Sequence, residues 1–256
     1  MRTRVSACLA KAMMTVAGLL AALVPALLLA SNPARAENWT VASEDYFPPY
    51  NYTERGKRTG MDTEIVDALL KDIGVYPVHR PMGWPEVVRA HDENEVDVAF
   101  QFFTSPRRLE RGHLIGPYRV GATVLMVRSN AEITYTGIED LRGLRIGVVD
   151  GFEYTPEFDR SPLFERVSSS SNVVSFRRLL LGRVDAIAGD SQVLRSLADS
   201  EGRTGSVKIL AKPLAMVPRY ISVPKPRAEK AARLQAAYEK LKQDGTIDAI
   251  VRRWER

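Results

Sequence analysis

The chain carries few residues of the kinds that do covalent or metal chemistry, and none at a working spacing. Its histidines, His79, His91 and His113, show no metal-ligand pattern and read as ordinary surface or loop residues. The one cysteine, Cys8, stands ahead of a long apolar run. No G-x-S-x-G elbow, phosphate loop or glycine-rich dinucleotide fingerprint occurs. No metal and no cofactor is expected, and a binder of small molecules fits these absences better than an enzyme does.

Charge narrows the partners. Residues 1–36 hold Arg2, Arg4, Lys11 and Arg35 and no acid, so they contribute +4 of the formal +5. The other 220 of the 256 residues carry only +1, too little for the concentrated basic face that nucleic acid requires. Arg2, Arg4 and Lys11 precede an apolar stretch from Ala12 to Ala30, and Ala34-Arg35-Ala36 follows as a small-x-small exit. These are the three parts of a secretory signal peptide, so cleavage is expected after Ala36, with a mature chain from Glu37 in the periplasm. The same run is just long enough for an uncleaved anchor, but Pro25 and the exit site favour removal. The mature chain then has no cysteine and folds without disulfides, and export leaves ATP and nicotinamide unexpected as partners.

The elements that must position any site alternate between strand and helix. Strands are expected at Asn38–Ser43, Val75–Val78, Val96–Phe100, Ala122–Val127, Leu144–Val149, Val184–Ala188 and Lys208–Leu210. Met61, Ile65, Leu69 and Ile73 recur at helical spacing between Gly60 and the stop at Gly74. Further helices are expected at Trp84–His91, Ile138–Leu141, Ser175–Leu181 and Gln192–Asp199. Ser168–Ser171 reads as a solvated loop. In the tail, Leu234, Tyr238 and Leu241 line one helix; Thr246 is placed to cap another bearing Ile247, Ile250, Val251 and Trp254. This alternation implies an α/β protein with mostly parallel sheet flanked by helices.

Several segments together resemble the bacterial extracellular solute-binding protein family 3, the periplasmic receptors of polar amino acid ABC transporters. They are Glu44-Asp45-Tyr46-Phe47-Pro48-Pro49-Tyr50 with Gly60-Met61-Asp62; Thr104-Ser105-Pro106-Arg107-Arg108 with Gly116-Pro117-Tyr118; Leu181 to Asp190; and Lys242-Gln243-Asp244-Gly245-Thr246 with Trp254. The resemblance implies the two-lobed type II periplasmic binding protein fold with two hinge crossings and a ligand cleft that shuts like a flytrap. Lobe 1 would comprise residues 37–127 plus 220–256, and lobe 2 residues 128–219. It also implies a monomer that hands a small polar solute, an amino acid or relative, to an ABC permease in the inner membrane.

By the family's positions, Arg108 would take a ligand carboxylate with its planar fork, with Arg107 as the competing neighbour. Asp190 would take an ammonium, although an aspartate there also suits the cap of the next helix. Phe47 and Tyr50 would pack the ligand's carbon chain, and Glu44 would face its side chain. The sequence departs from the family pattern at Phe103, where a hydroxyl is usual, and at Phe152-Glu153, where the family has hydroxyls after Gly151. Gln101, Glu153 and Thr155 then become candidate ligand contacts, and the ligand is expected to be cationic or to lack one of the two charges. The family also includes cyclohexadienyl dehydratases, for which Glu44 or Glu153 would be the acid, and a sensory ligand-binding role is open.

Overall fold

The structure, a computed structural model, describes residues 37–254. The expected signal peptide lies outside the described residues. Among the described residues, no helix is long and apolar enough to cross a membrane.

In chain order the strands are β1 Glu37–Glu44, β2 Tyr52–Glu54, β3 Lys57–Thr59, β4 Val75–Met82, β5 Val98–Phe102, β6 Gly112–Arg128, β7 Arg145–Val149, β8 Glu165–Ser169, β9 Ala186–Asp190, β10 Val207–Ile209 and β11 Ala215–Pro224. The α-helices are α1 Met61–Asp72, α2 Trp84–Asp92, α3 Pro106–Arg111, α4 Pro156–Arg160, α5 Asn172–Leu180, α6 Ser191–Ser200, α7 Ala228–Gln243 and α8 Thr246–Trp254. The strands form one mixed sheet ordered β4-β1-β5-β11-β6-β9-β7-β8, with β10 also on β6, and β2-β3 stand apart as a hairpin. Pairing is parallel toward both ends, β1 with β5 and β7 with both β8 and β9. It is antiparallel in the middle, where the two long strands β6 and β11 run side by side.

Side-chain alternation builds helical layers on both faces. Val41, Val98 and Phe100 enter one cluster with α1, α7 and α8, whereas Ala42, Ala99 and Phe102 enter another with α2. The second half repeats this pattern: Leu125, Val127, Ala186 and Ala188 face one way, and Val124, Met126 and Ile187 the other. Val124 to Val127 therefore belong with the second pair of clusters, because they pair with β9 from Gly189 to Ala186. Tyr118, earlier on the same strand, enters the cluster with α1, α7 and α8.

Several expectations are corrected. Ser168 and Ser169 are strand, not solvated loop: Ser169 is buried and its hydroxyl donates to Val148 O at 3.0 Å. Ser171 caps α5 by accepting from Val174 N. Thr246 is the first residue of α8, and the Asp244 carboxylate accepts its N–H at 2.9 Å. His91 is no surface residue. It is 1% exposed on α2, 2.8 Å from the Ser222 hydroxyl and 3.1 Å from Asp92, and its burial pushes its pKa down. Strand β11 escaped the sequence reading because Pro218 and Pro224 demote it. The register tolerates both prolines, Pro218 opposite Val120 and Pro224 opposite Gly112.

Candidate functional site

A cavity lies where the carboxyl ends of β1 and β5 face those of β7 and β9, beside the two long strands. Glu44 ends β1, Gln101 lies in β5, Phe152–Tyr154 follow β7 and Asp190 ends β9, while Thr123 and Arg219 come from β6 and β11. Crevices outside the carboxyl ends of strands are the general ligand position of open α/β sheets, because loops and helix starts converge there. Aromatic rings wall it: Phe152 packs on Trp84 at 5.4 Å, Tyr154 at 6.2 Å and Phe47 at 6.4 Å between centroids.

Its polar atoms are mostly acceptors. Gln101 is held at φ 73°, a conformation that a non-glycine residue adopts only when its surroundings impose it. Its Nε2 donates to Asn51 Oδ1 at 2.5 Å, which leaves its Oε1 without a donor. Asp190 divides its carboxylate. Oδ1 accepts from Gln192 N at 3.0 Å and Val193 N at 3.4 Å and so caps α6, while Oδ2 is buried with no hydrogen bond. Glu44 Oε2 is likewise buried and without a donor. Among the described residues these acceptors meet on one cavity wall. A buried unsatisfied acceptor costs about 1–3 kcal/mol, so a ligand with several N–H donors gains by satisfying them together. The ring faces around them favour the same kind of cation.

Burial is also what pushes the Glu44 carboxyl up to about 8, with Arg219 opposing. The folded protein thus holds a proton there that the unfolded chain releases near pH 4.5. Stability from this group is complete below pH 4.5 and is lost as pH rises toward 8. Glu44→Gln should therefore match the native chain at pH 4 but exceed it at pH 8.5 by at least about 1 kcal/mol. Thermal melts across that range check it; a constant gap between the two proteins would refute the raised carboxyl.

Behind the cavity lies an ionic platform. Arg119 donates to Asp62 through Nε at 2.7 Å and Nη2 at 2.9 Å, and the Tyr118 hydroxyl donates to the same carboxylate at 3.0 Å. The Arg119 guanidinium carbon stands 3.4 Å from the Tyr50 ring centroid, and its Nη1 is 3.7 Å from Asp190 Oδ2. Burial would lower the Arg119 pKa, but Asp62 more than offsets it and the net direction is up. A Cβ at Gly121 would meet Asp190 Oδ2 at 2.6 Å and Arg119 Nη1 at 3.0 Å, so only glycine leaves room for this pair.

The residues singled out in the sequence divide. Glu44, Phe47, Gln101, Glu153 and Asp190 line the cavity. Tyr50 is buried beneath Arg119 and faces a neighbouring pocket instead. Phe103 is half-buried and off the cavity wall, the buried ring beside it being Phe102. Thr155 is also off the wall; its hydroxyl accepts from Phe158 N at 3.1 Å and caps α4. Arg108 is buried, whereas Arg107 points outward to Asp92 at 3.1 Å, so Arg108 is the inward-facing arginine. Arg108 does not reach the cavity wall: its Nε is 3.5 Å from Glu153 Oε1, which does.

Sequence reasoning missed the roles of Arg119, Asp62, Arg219, Thr123, Trp84 and Tyr154. A signal existed for the first: a charge in Tyr118-Arg119-Val120, between residues that read as strand, needs a buried partner.

Comparison with known proteins bears on the family and the fold. The model of the bacterial extracellular solute-binding proteins, family 3, matches residues 39–256. The L-cystine-binding protein TcyJ of Escherichia coli is 23% identical over 217 residues, 84% of this chain and 81% of that protein. The putative ABC transporter arginine-binding protein 2 of Escherichia coli is 23% identical over 92% of this chain and 97% of its own length. A solved structure of an ancestral arginine-binding protein bound to arginine is 26% identical with a TM-score of 0.76, covering 85% of this chain and 97% of that one.

Proposed function

We propose a function from one premise: this chain belongs to the bacterial extracellular solute-binding proteins, family 3. It captures a small cationic solute, an amino acid or relative, and delivers it to an ABC transporter permease in the inner membrane. The observation that carries this reading is the set of buried acceptors, Glu44 Oε2, Gln101 Oε1 and Asp190 Oδ2, left without donors on one aromatic-walled cavity. The family and the arginine-binding relatives support an amino-acid-like cation and a periplasmic location.

Two lobes account for the paired hydrophobic clusters on either side of the cavity, with β6 and β11 as the crossings and hinges. Contacts from both lobes to one ligand favour closure. The protein works as a monomer without covalent chemistry of its own. Glu44 held protonated near neutral pH is the one feature a dehydratase would share.

A thermal-shift panel tests the proposal. Binding at a hundredfold excess over Kd adds about 2.7 kcal/mol, worth roughly 5–10 °C for a chain of this size. Basic amino acids and their amine relatives should produce this shift, and acidic ones should not. Stabilisation by acidic or neutral amino acids alone would sink the cationic reading, and conversion of the bound solute, seen by mass spectrometry, would turn the protein into an enzyme.

A further inference from the structure

We propose that Glu153 occupies, from within the chain, the place a ligand carboxylate would take on Arg108. The cleft then selects an organic cation with no free carboxylate, an amine or guanidine rather than its parent amino acid. This rests on the cation-binding reading above and names the class of cation.

Arg108 is 2% exposed, with its guanidinium carbon 4.8 Å from the Phe102 ring centroid and 5.8 Å from that of Trp84. Its Nε and Nη1 make no hydrogen bond, and Glu153 Oε1 is the carboxylate oxygen within salt-bridge reach, at 3.5 Å. Glu153 stands on the cavity wall and pairs with Arg108, so the chain's own carboxylate competes with any ligand carboxylate for the arginine. The loop that carries it is fixed by its neighbours. Trp84 Nε1 donates to Gly151 O at 3.0 Å, and the Phe152 ring meets Trp84 edge to face at 84°.

Arg219, the remaining arginine on the wall, donates from Nη1 to Gln101 O at 3.4 Å, and its buried Nε makes no hydrogen bond. The other ionisable groups on the wall are Glu44, Tyr154, Asp190 and Glu153 itself. A ligand carboxylate brought there would meet the carboxylates of Asp190 and Glu153, and repulsion of this kind is how a site rejects a close analogue. An amine or guanidine meets the same groups as partners.

Calorimetric titration of the purified chain with matched pairs, agmatine against L-arginine and cadaverine against L-lysine, tests this. The native chain should bind the amine of each pair at least about tenfold tighter, a difference of about 1.4 kcal/mol. Glu153→Gln weakens the hold on Arg108 and removes a negative charge, so each amino acid should gain about tenfold relative to its amine. Glu153 is a third exposed on its loop, so the variant should fold, and its melting curve verifies that. Glu153→Ala should repeat the gain with a different side chain. If the native chain prefers the amino acids and Glu153→Gln leaves that preference unchanged, Arg108 takes the ligand carboxylate and this inference fails while the cationic reading stands. If none of the cations binds, both fall.

Discussion

Replacing Asp62 with asparagine is expected to cost about 3–5 kcal/mol of folding stability, because it leaves the buried Arg119 short of its counter-charge. Asp62 is 0% exposed and accepts two bonds from Arg119 and one from Tyr118, so its loss falls on a pair shielded from bulk solvent. An asparagine keeps the volume but turns an N–H₂ toward a guanidinium that can only donate. Asp190, 3.7 Å away, is too distant to replace a forked pair. At roughly 2–4 °C per kcal/mol the melting temperature should fall by about 6–20 °C. The double variant Asp62→Leu with Arg119→Met should cost less than Asp62→Asn, since removing both charges also removes their desolvation. Urea unfolding of the three proteins decides it. A single-variant loss under about 1 kcal/mol would mean that Arg119 finds another partner, and the platform beneath Asp190 would need a different account.

That platform shows what the sequence could and could not disclose. Elements with a clean period were readable: α1 from Met61, Ile65 and Leu69, and α8 from Ile247 and Ile250, are where their apolar spacing puts them. Strand β11 was not, because two prolines suppress the local signal while the strand is held by long-range pairing with β6. The division into lobes is an expectation from resemblance alone, and β6 runs unbroken from Gly112 to Arg128 across the place expected for a boundary. In the site, Glu44, Phe47 and Asp190, each carried by a local motif, line the cavity, whereas Arg108 pairs with Glu153 off the wall and Tyr50 faces another pocket. Thr155 and Phe103, both chosen by distance from a motif, do not line it. A hydroxyl ahead of a helix finds the nearest free N–H, as Thr155 does with Phe158. Arg119 and Asp62 lie 57 positions apart, and no local pattern joins them.

Asp190→Asn should separate two functions that one carboxylate performs. Asparagine caps helices about as well as aspartate, so the bonds that Oδ1 accepts from Gln192 and Val193 survive and stability should change by less than about 1 kcal/mol. The charge offered by Oδ2 is lost. A charge-assisted bond inside a site shielded from water is worth roughly 1.5–3 kcal/mol, so affinity for a basic amino acid or its amine should drop about tenfold to a hundredfold. Asp190→Ala loses the cap as well and should add about 1 kcal/mol of instability to the same loss of affinity. Glu44→Gln is the contrast. With its carboxyl pushed up to about 8, Glu44 is largely protonated below neutrality, so that change should cost little affinity at pH 6 and more at pH 8.5. Titrations at both pH values distinguish the two acids. Undiminished binding by Asp190→Asn at both would show that Asp190 serves α6 alone and that the cation is held elsewhere in the cleft.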